Sequence, residues 1–208
     1  MKKFKFIDLF SGLGGFRIAL EEIGGECVFS SDNDDFVRQV YLDNFNEYPS
    51  GDITEISTKK IPDHDILCAG FPCQPFSIGG YRKGFTDTRG TLFFEIERIL
   101  RDKRPRAFFL ENVRGLTNHD KGRTLNVMLD ILADVVNEQP RLVDKKKNLG
   151  YKLYYKVLNS KNYGVPQNRE RIYMIGFLDH NINFSFPETV VLEKRVEDNI
   201  LERNNFEF

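Results

Sequence analysis

The stretch DLFSGLGG, at positions 8–15, decides the fold that this sequence predicts. The apolar run Phe4–Phe10 leads into it, and an amphipathic run from Phe16 to Ile23 follows it. This order predicts a strand, a glycine turn and a helix, a setting in which missing side chains let a ligand approach the backbone amides at a helix N-terminus. We interpret the turn as a site for a nucleotide-like ligand. A plain tight turn is the alternative, since glycine and aspartate favour turns for their own reasons.

Strand and helix patterns continue to alternate along the chain. Short apolar runs predict further strands at Cys27–Phe29, Ile66–Ala69 and Ala107–Leu110. Apolar residues at helical spacing predict helices at Phe36–Tyr41, Leu92–Leu100 and Leu125–Val136. Two more strand patterns, at Leu153–Leu158 and Arg171–Phe177, predict an antiparallel pair at the sheet edge. The predicted fold class is therefore α/β, with a doubly wound, mostly parallel sheet and an antiparallel edge hairpin.

Composition narrows the class of protein. The chain of 208 residues is 40% apolar and 13% aromatic, which is typical of one soluble globular domain. No window approaches the roughly 20 apolar residues of a membrane helix, and the N-terminus lacks the pattern of a signal peptide. We therefore expect a cytoplasmic protein with no membrane partner. Thirty basic and thirty-one acidic residues give a net charge of −1, so bulk charge neither supports nor excludes nucleic acid.

The sequence GFPCQPFS, at positions 70–77, holds Cys73 between two prolines. Proline fixes its own φ and restricts the preceding residue, so the backbone around this thiol is stiff. Cys73 also follows the carboxyl end of a predicted parallel strand, where a nucleophile can face a bound substrate. We interpret Cys27 and Cys68 as small buried hydrophobic residues. The three cysteines contain no CxxC pair, so we expect neither a disulfide framework nor a zinc site, and no other metal site is indicated.

An acid follows the second predicted strand. Asp32 lies where open α/β folds place a carboxylate against ribose hydroxyls.

A nicotinamide-dependent dehydrogenase would use a similar turn, but it needs no proline-flanked thiol. None of the three histidines, His64, His119 and His180, has a sequence setting typical of a proton relay. These features disfavour the dehydrogenase.

Four motifs together resemble those of the cytosine-C5 DNA methyltransferases of bacterial restriction-modification systems. They are DLFSGLGGFRIAL (8–20), GFPCQPFS (70–77), FFLENVRGL (108–116) and YGVPQNRERIYMIGF (163–177), and they stand in the order seen in that family. The resemblance extends from residue 6 to about residue 187. It implies transfer of a methyl group from S-adenosylmethionine to carbon 5 of a cytosine that has been flipped out of double-stranded DNA, because stacking shields that atom within the duplex.

The resemblance also assigns the catalytic residues. The thiolate of Cys73 would add to carbon 6 of cytosine, which makes carbon 5 nucleophilic. Glu111 would contact ring nitrogen 3 and favour its protonation. Arg169 and Arg171 alternate with Glu170, so both side chains point to one face of the predicted strand, and Arg171 would hold the cytosine carbonyl oxygen. Without the motifs, a glutamate in a surface turn and a surface arginine pair would be the simpler interpretations.

The cofactor site implied by the resemblance comprises Phe10, Gly12, Gly14, Gly15, Asp32, Asp52, Ile53, Pro72 and Leu92. In this scheme Phe10 stacks on adenine, Asp32 binds the ribose, and Asp52 with Ile53 contacts the edge of the base. Leu92 needs no functional explanation, because it is also a core-facing residue of a predicted helix. Many relatives carry glutamate and a large aromatic residue at positions 32 and 33. We expect the shorter acid and Asn33 to reshape the adenosine packing.

Two further segments bear on DNA binding. The glycine-rich and basic stretch 77–89 corresponds to a segment that closes over DNA in the family, although an ordinary surface loop has the same composition. Relatives continue beyond the last motif with a small domain that reads the DNA sequence, and residues 188–208 are too few for it. We assign residues 1–187 to a catalytic and cofactor-binding domain, and 188–208 to a charged tail or the start of the small domain.

The short C-terminal part leaves three explanations open: one subunit of a split enzyme, a truncated or engineered form, or a degenerate copy. Retention of the motif residues disfavours degeneracy. We therefore expect a methyltransferase that works efficiently only with a complementary C-terminal region or second polypeptide carrying target recognition. The alternatives are a noncatalytic cofactor- or DNA-binding scaffold of the same fold and an RNA cytosine methyltransferase.

Overall fold

The computed structural model describes residues 3–72 and 92–190. In this part of the chain, eight strands form one sheet. In chain order the strands are β1 Phe4–Leu9, β2 Gly25–Ser31, β3 Ile66–Gly70, β4 Ala107–Val113, β5 Ala133–Val136, β6 Gln139–Pro140, β7 Tyr151–Asn159 and β8 Glu170–Phe177. Their order across the sheet is β2-β1-β3-β4-β8-β7-β5-β6.

Four α-helices connect these strands in the described part of the chain. They are α1 Gly15–Glu22, α2 Asp35–Phe45, α3 Leu92–Lys103 and α4 Arg123–Leu132. The side chain of Asp34 accepts hydrogen bonds from the backbone N–H groups of Phe36 and Val37, so a carboxylate caps the start of α2. Short 3-10 turns lie at Ile53–Glu55, Thr58–Lys60, Arg114–Thr117, His119–Gly122 and Ser160–Asn162. No helix in this part of the chain is long and apolar enough to cross a membrane.

The sheet confirms the predicted fold class. β1 pairs in parallel with both β2 and β3, and β3 pairs in parallel with β4. The carboxyl ends of these four strands therefore meet at one edge of the sheet, which is where open α/β folds bind their ligands. β8 lies antiparallel between β4 and β7, so the predicted antiparallel pair is present.

One predicted helix ends earlier than expected. The expected helix Leu125–Val136 ends at Leu132, and Ala133–Val136 form β5, which pairs in parallel with β7. A short hairpin through Asn137 and Glu138, both at positive φ, then adds β6. Consecutive valines favour a pleated strand over a helix, and they end the helical pattern one turn early. The antiparallel pair is consequently not the last element at that edge.

The two faces of the sheet are covered unequally. One face packs beneath α3 and α4 in a continuous core whose fully buried members include Leu9, Leu67, Phe108 and Met174. The opposite face carries a smaller cluster of Phe6, Leu20 and Cys68, which α1 covers. Phe16 of α1 reaches Phe109 of β4, with ring centroids 5.0 Å apart. This second face also carries Glu111 and Arg171.

Candidate active site

The glycine turn between β1 and α1 has the backbone conformation that its sequence requires. Phe10, Gly12 and Gly14 have φ values of 54°, 54° and 84°, in the left-handed region. A Cβ atom on Gly14 would lie 2.2 Å from the Phe45 ring, so glycine also permits the close approach of α2. α1 begins at Gly15 without a side-chain cap. Because α1 follows the carboxyl end of β1, the amides of its first turn lie at that edge of the sheet. Free amides at a helix N-terminus can bind an anion or a nucleotide.

Asp32 connects this turn to the end of β2. Its Oδ2 atom accepts a hydrogen bond of 3.0 Å from the Gly12 backbone N–H, and its Oδ1 atom accepts one of 3.1 Å from Asp34. Its own N–H donates to the carbonyl of Ser50 at 3.0 Å. These bonds bring the glycine turn, the acid and the segment that leads to Asp52 into one cluster. The predicted ribose acid thus lies directly beside the predicted nucleotide turn.

Asp52 and Ile53 follow this connection. The Asp52 carboxylate accepts the Thr54 N–H at 2.9 Å and starts a 3-10 turn. Ile53 is only 2% exposed, and its side chain belongs to the main core. Its carbonyl accepts a hydrogen bond from Arg98 at 3.1 Å. A contact from position 53 to a ligand would therefore use its backbone rather than its side chain.

A carboxylate and two arginines meet where β4 and β8 lie side by side. The Nε atom of Arg171 lies 2.7 Å from the Oε1 atom of Glu111, and a terminal nitrogen of Arg169 lies 4.0 Å from the same oxygen. The side chains of Glu111 and Arg171 are 20% and 21% exposed, whereas that of Arg169 is 51% exposed. Arg171 lies in β8, whereas Arg169 precedes the strand, so the prediction that both belong to it is wrong for Arg169. Both guanidinium groups nevertheless approach Glu111.

Gly70 leaves room beside this cluster. It is the last residue of β3 and pairs in register with Glu111. A Cβ atom at this position would lie 3.5 Å from the Oε2 atom of Glu111. The glycine therefore keeps open the space next to the carboxylate at the edge of the sheet.

Tyr173 belongs to the same cluster and was missed in the sequence. It pairs in register with Glu111 and follows Arg171 on the same face of β8. Burial raises the pKa of Tyr173, and the neighbouring Glu111 carboxylate raises it further. The tyrosine therefore keeps its proton to a higher pH than a free tyrosine does, and it lies beside the carboxylate. The alternation of positions 169, 171 and 173 is the signal that would have revealed it.

The side chain of Asn112 holds the backbone that follows β3, just before the predicted nucleophile in the sequence. Phe71 is buried, and its carbonyl accepts a hydrogen bond of 2.9 Å from the Asn112 side chain. Pro72 follows it and is exposed. Cys73 and the stretch 77–89 lie outside the described residues. Leu92, predicted to contribute to the cofactor site, begins α3 and is half-buried.

The other two cysteines are unsuited to nucleophilic chemistry. Burial raises the pKa of Cys27 to about 12 and that of the fully buried Cys68 well above its ordinary value. A protonated thiol is a weak nucleophile. Both residues therefore fit their interpretation as packing residues.

A buried acid lies beneath the glycine turn. Asp8 is fully buried in β1, and neither of its carboxylate oxygens has a hydrogen-bond partner among the residues that the structure describes. Burial raises its pKa well above the ordinary value, although the nearby Arg17 opposes the shift. Across residues 3–72 and 92–190, no group of three or more histidine, cysteine, aspartate or glutamate side chains is arranged to hold a metal ion.

Comparison with known proteins identifies close relatives. The family model for C-5 cytosine-specific DNA methylases matches residues 4–206. The type II methyltransferase M.HhaI of Haemophilus parahaemolyticus is 53% identical over 199 residues, which cover 95% of this chain and 57% of the relative. M.NgoBI of Neisseria gonorrhoeae is 55% identical over 187 residues, covering 90% and 54%. The chain thus spans about half the length of the curated relatives it matches.

A solved structure agrees in fold. The Dnmt2 methyltransferase of S. pombe superposes with a TM-score of 0.63 at 21% sequence identity. The match covers 89% of this chain and 52% of the other.

Proposed function

The chain belongs to the C-5 cytosine-specific DNA methylase family, and on this premise we propose that it is the catalytic and cofactor-binding part of a DNA cytosine-5 methyltransferase. The observation that carries the proposal is the Glu111–Arg171 ion pair at the carboxyl edge of the sheet, where Glu111 pairs with Gly70, the last residue of β3 and three positions before Cys73 in the sequence. The substrate is a cytosine in double-stranded DNA, and the methyl donor is S-adenosylmethionine.

The residues around the glycine turn fit this donor. The Asp32 carboxylate accepts one backbone N–H on each oxygen, and each oxygen keeps a second lone pair that can accept a ribose hydroxyl. The left-handed glycines and the uncapped start of α1 present backbone amides without side chains in the way. Phe10, Asp52, Pro72 and Leu92 complete the proposed site. When bound, the donor supplies an electrophilic methyl group on its sulfonium.

In the proposed reaction, the thiolate of Cys73 adds to carbon 6 of the flipped cytosine and forms a carbon–sulfur bond. The electron pair of the 5,6 double bond thereby becomes available at carbon 5, which would bond to the methyl group as the sulfur–methyl bond of the donor breaks and the demethylated thioether leaves. Loss of the proton from carbon 5 to a base then expels the thiolate and restores the double bond. Covalent attack divides one difficult step into easier ones.

Glu111 and the arginines act on the other side of the ring. Glu111 contacts ring nitrogen 3 and favours protonation there while carbon 6 is attacked. The ion pair with Arg171 fixes the direction of the Glu111 carboxylate, since a guanidinium is planar and presents its N–H groups in a rigid fork. Arg171 and the more exposed Arg169 orient the cytosine carbonyl oxygen. Positioned donors of this kind stabilise charge that develops during the reaction.

We infer that a further polypeptide region is needed for efficient, site-specific methylation. The match covers only 57% of one relative and 54% of the other. A groove of about 500 Å³ also runs along the sheet face that α1 leaves open; it is lined mainly by apolar residues, among them Phe109, Tyr173, Ile175, Phe184 and Phe186. An apolar groove of this size can bind additional polypeptide. That region carries target recognition, because base edges must be read by residues that reach the DNA grooves.

The proposal is tested by methyl incorporation into duplex DNA, measured with this chain alone and with a C-terminal polypeptide from a relative. We expect little incorporation by the chain alone and sequence-specific incorporation by the mixture. Full site-specific activity of the chain alone would contradict the need for a second region. No incorporation in either case, together with no binding of S-adenosylmethionine, would contradict the enzymatic function.

A further inference from the structure

Asn112 is a buried polar residue whose two functional groups are both used. It is 1% exposed, at the end of β4. Its Nδ2 donates a hydrogen bond of 2.9 Å to the Phe71 carbonyl, and its Oδ1 accepts one of 2.8 Å from the Val113 N–H. A buried amide is costly unless it is hydrogen-bonded, so these two bonds fix the rotamer of the side chain.

The bond to Phe71 lies where the backbone pairing between β3 and β4 stops. The last pair in register is Gly70 with Glu111. Phe71 follows directly, and the next residue, Pro72, has no N–H group to donate. The Asn112 side chain therefore supplies a connection between the two chain segments one residue beyond the last backbone pair.

Phe71 is held at two points as a result. Its ring is buried and packs against Phe93 of α3, with centroids 6.2 Å apart. Its carbonyl is held by Asn112. Phe71 is therefore fixed through both its side chain and its backbone. Its anchor on β4, Asn112, comes immediately after Glu111 in the sequence.

We propose that Asn112 is a positioning residue, which locks the Phe71–Pro72 backbone to the strand end that carries Glu111. This inference rests on the proposed function, because the residue that follows Pro72 in the sequence is the proposed nucleophile. Because Asn112 is 1% exposed and both of its polar groups bond to the protein backbone, we assign it no contact with DNA or cofactor. It acts by holding the Phe71–Pro72 backbone at a fixed separation from Glu111, and a displacement of about 1 Å can cost about 100-fold in rate.

The test is the substitution Asn112→Asp, which preserves the shape of the side chain and replaces its only donor with an oxygen. Asn112→Ala removes the donor without adding charge. The matched control is Asn148→Asp. Asn148 also donates to a backbone carbonyl, that of Asp130 at 2.6 Å, and accepts a backbone N–H from Gly150 at 2.6 Å, but it lies in the loop before β7.

Each variant is assayed under the conditions that support wild-type turnover, with rates normalised to the concentration of S-adenosylmethionine-binding sites so that misfolded protein does not count. We expect both Asn112 variants to lower kcat about 10- to 100-fold, with the KM for DNA changed less than about threefold. The rate of covalent adduct formation with 5-fluorocytosine DNA should fall in parallel. Asn148→Asp should leave all three quantities near the wild-type values.

Wild-type rates in both Asn112 variants would overturn the positioning role while leaving the proposed function intact. An equal loss in Asn148→Asp would overturn it too, because the effect would then be general. Absence of both turnover and adduct in the wild-type protein would overturn the proposed function, and the positioning role with it.

Discussion

The Nε atom of Arg171 lies 2.7 Å from the Oε1 atom of Glu111, and the two residues come from antiparallel neighbours, β8 and β4. Both side chains are about four-fifths buried. An ion pair removed from water to this extent is directional as well as attractive, since fewer water molecules compete for the carboxylate. The pair therefore fixes the orientation of Glu111 before any substrate binds.

Substitution of Arg171 by lysine tests this orientation. Lysine keeps the positive charge but not the planar fork, so the carboxylate loses its fixed direction. We expect Arg171→Lys to lower kcat for DNA methylation about 10- to 100-fold. Arg106→Lys is the control, because Arg106 is 85% exposed and lies 4.0 Å from its acidic partner Asp65. Equal activity of the two variants would show that the fork geometry of Arg171 is unimportant.

The glycine turn makes a prediction about stability. Gly14→Ala places a Cβ atom 2.2 Å from the Phe45 ring at a φ of 84°. Gly24→Ala adds a Cβ at a φ of 92° with no atom within 4 Å. Its effect on the free energy of unfolding therefore reports the backbone strain alone. We expect a loss of about 1 kcal/mol in the free energy of unfolding for Gly24→Ala and at least about 2 kcal/mol more for Gly14→Ala. Urea denaturation measures both, and equal losses would contradict the close packing of the turn against α2.

We predict that Asp8 makes the free energy of unfolding depend on pH. Because burial raises the pKa of Asp8 in the folded protein, the folded state holds the proton more tightly than the unfolded state. The contribution of this residue is therefore fully favourable below the ordinary aspartate pKa, near 3.9, and is lost as the pH rises through the folded pKa. Asparagine has no such dependence. We expect the stability of Asp8→Asn relative to wild type to increase with pH, as measured by urea unfolding between pH 4.5 and 8; a decrease would contradict the raised pKa.

Asp32 predicts a change in cofactor binding. Removal of its carboxylate by Asp32→Ala deletes the proposed acceptor for the ribose hydroxyls and the bond from the Gly12 N–H. Hydrogen bonds to charged groups contribute about 1.5–3 kcal/mol each, so we expect the Kd for S-adenosylmethionine to increase at least about 10-fold by calorimetry. Asp43→Ala is the control, since Asp43 accepts a hydrogen bond from Gln39 on the exposed side of α2. An unchanged Kd for Asp32→Ala would remove Asp32 from the cofactor site.

Local sequence patterns predicted the parts of the fold that depend on neighbours in the chain. The glycines of the turn predict its left-handed conformation, and the position of Arg171 predicts the face of β8 on which it lies. The predicted helix Leu125–Val136 is wrong in its last four residues, because a short buried strand and a helix segment both show apolar runs, and the partner strand β7 is far away in the sequence.

Contacts across the sheet were harder to predict. The bond from Asn112 to Phe71 and the place of Tyr173 beside Glu111 depend on the register between strands that are far apart in the sequence. The buried Asp8 gave no sequence signal either. It lies close to Arg17 of α1 and Tyr41 of α2, and no local pattern encodes how these elements pack around it.

Covalent trapping is the most direct test of the proposed chemistry. A DNA duplex with 5-fluorocytosine at the target position blocks loss of the substituent from carbon 5, so an active enzyme remains bound through its nucleophile. With S-adenosylmethionine and the complementary C-terminal polypeptide, we expect a denaturation-resistant adduct whose DNA-bearing peptide contains Cys73, and no adduct from Cys73→Ser, which should still fold and bind the cofactor. A wild-type adduct at another residue, or unchanged trapping by Cys73→Ser, would contradict the proposed mechanism.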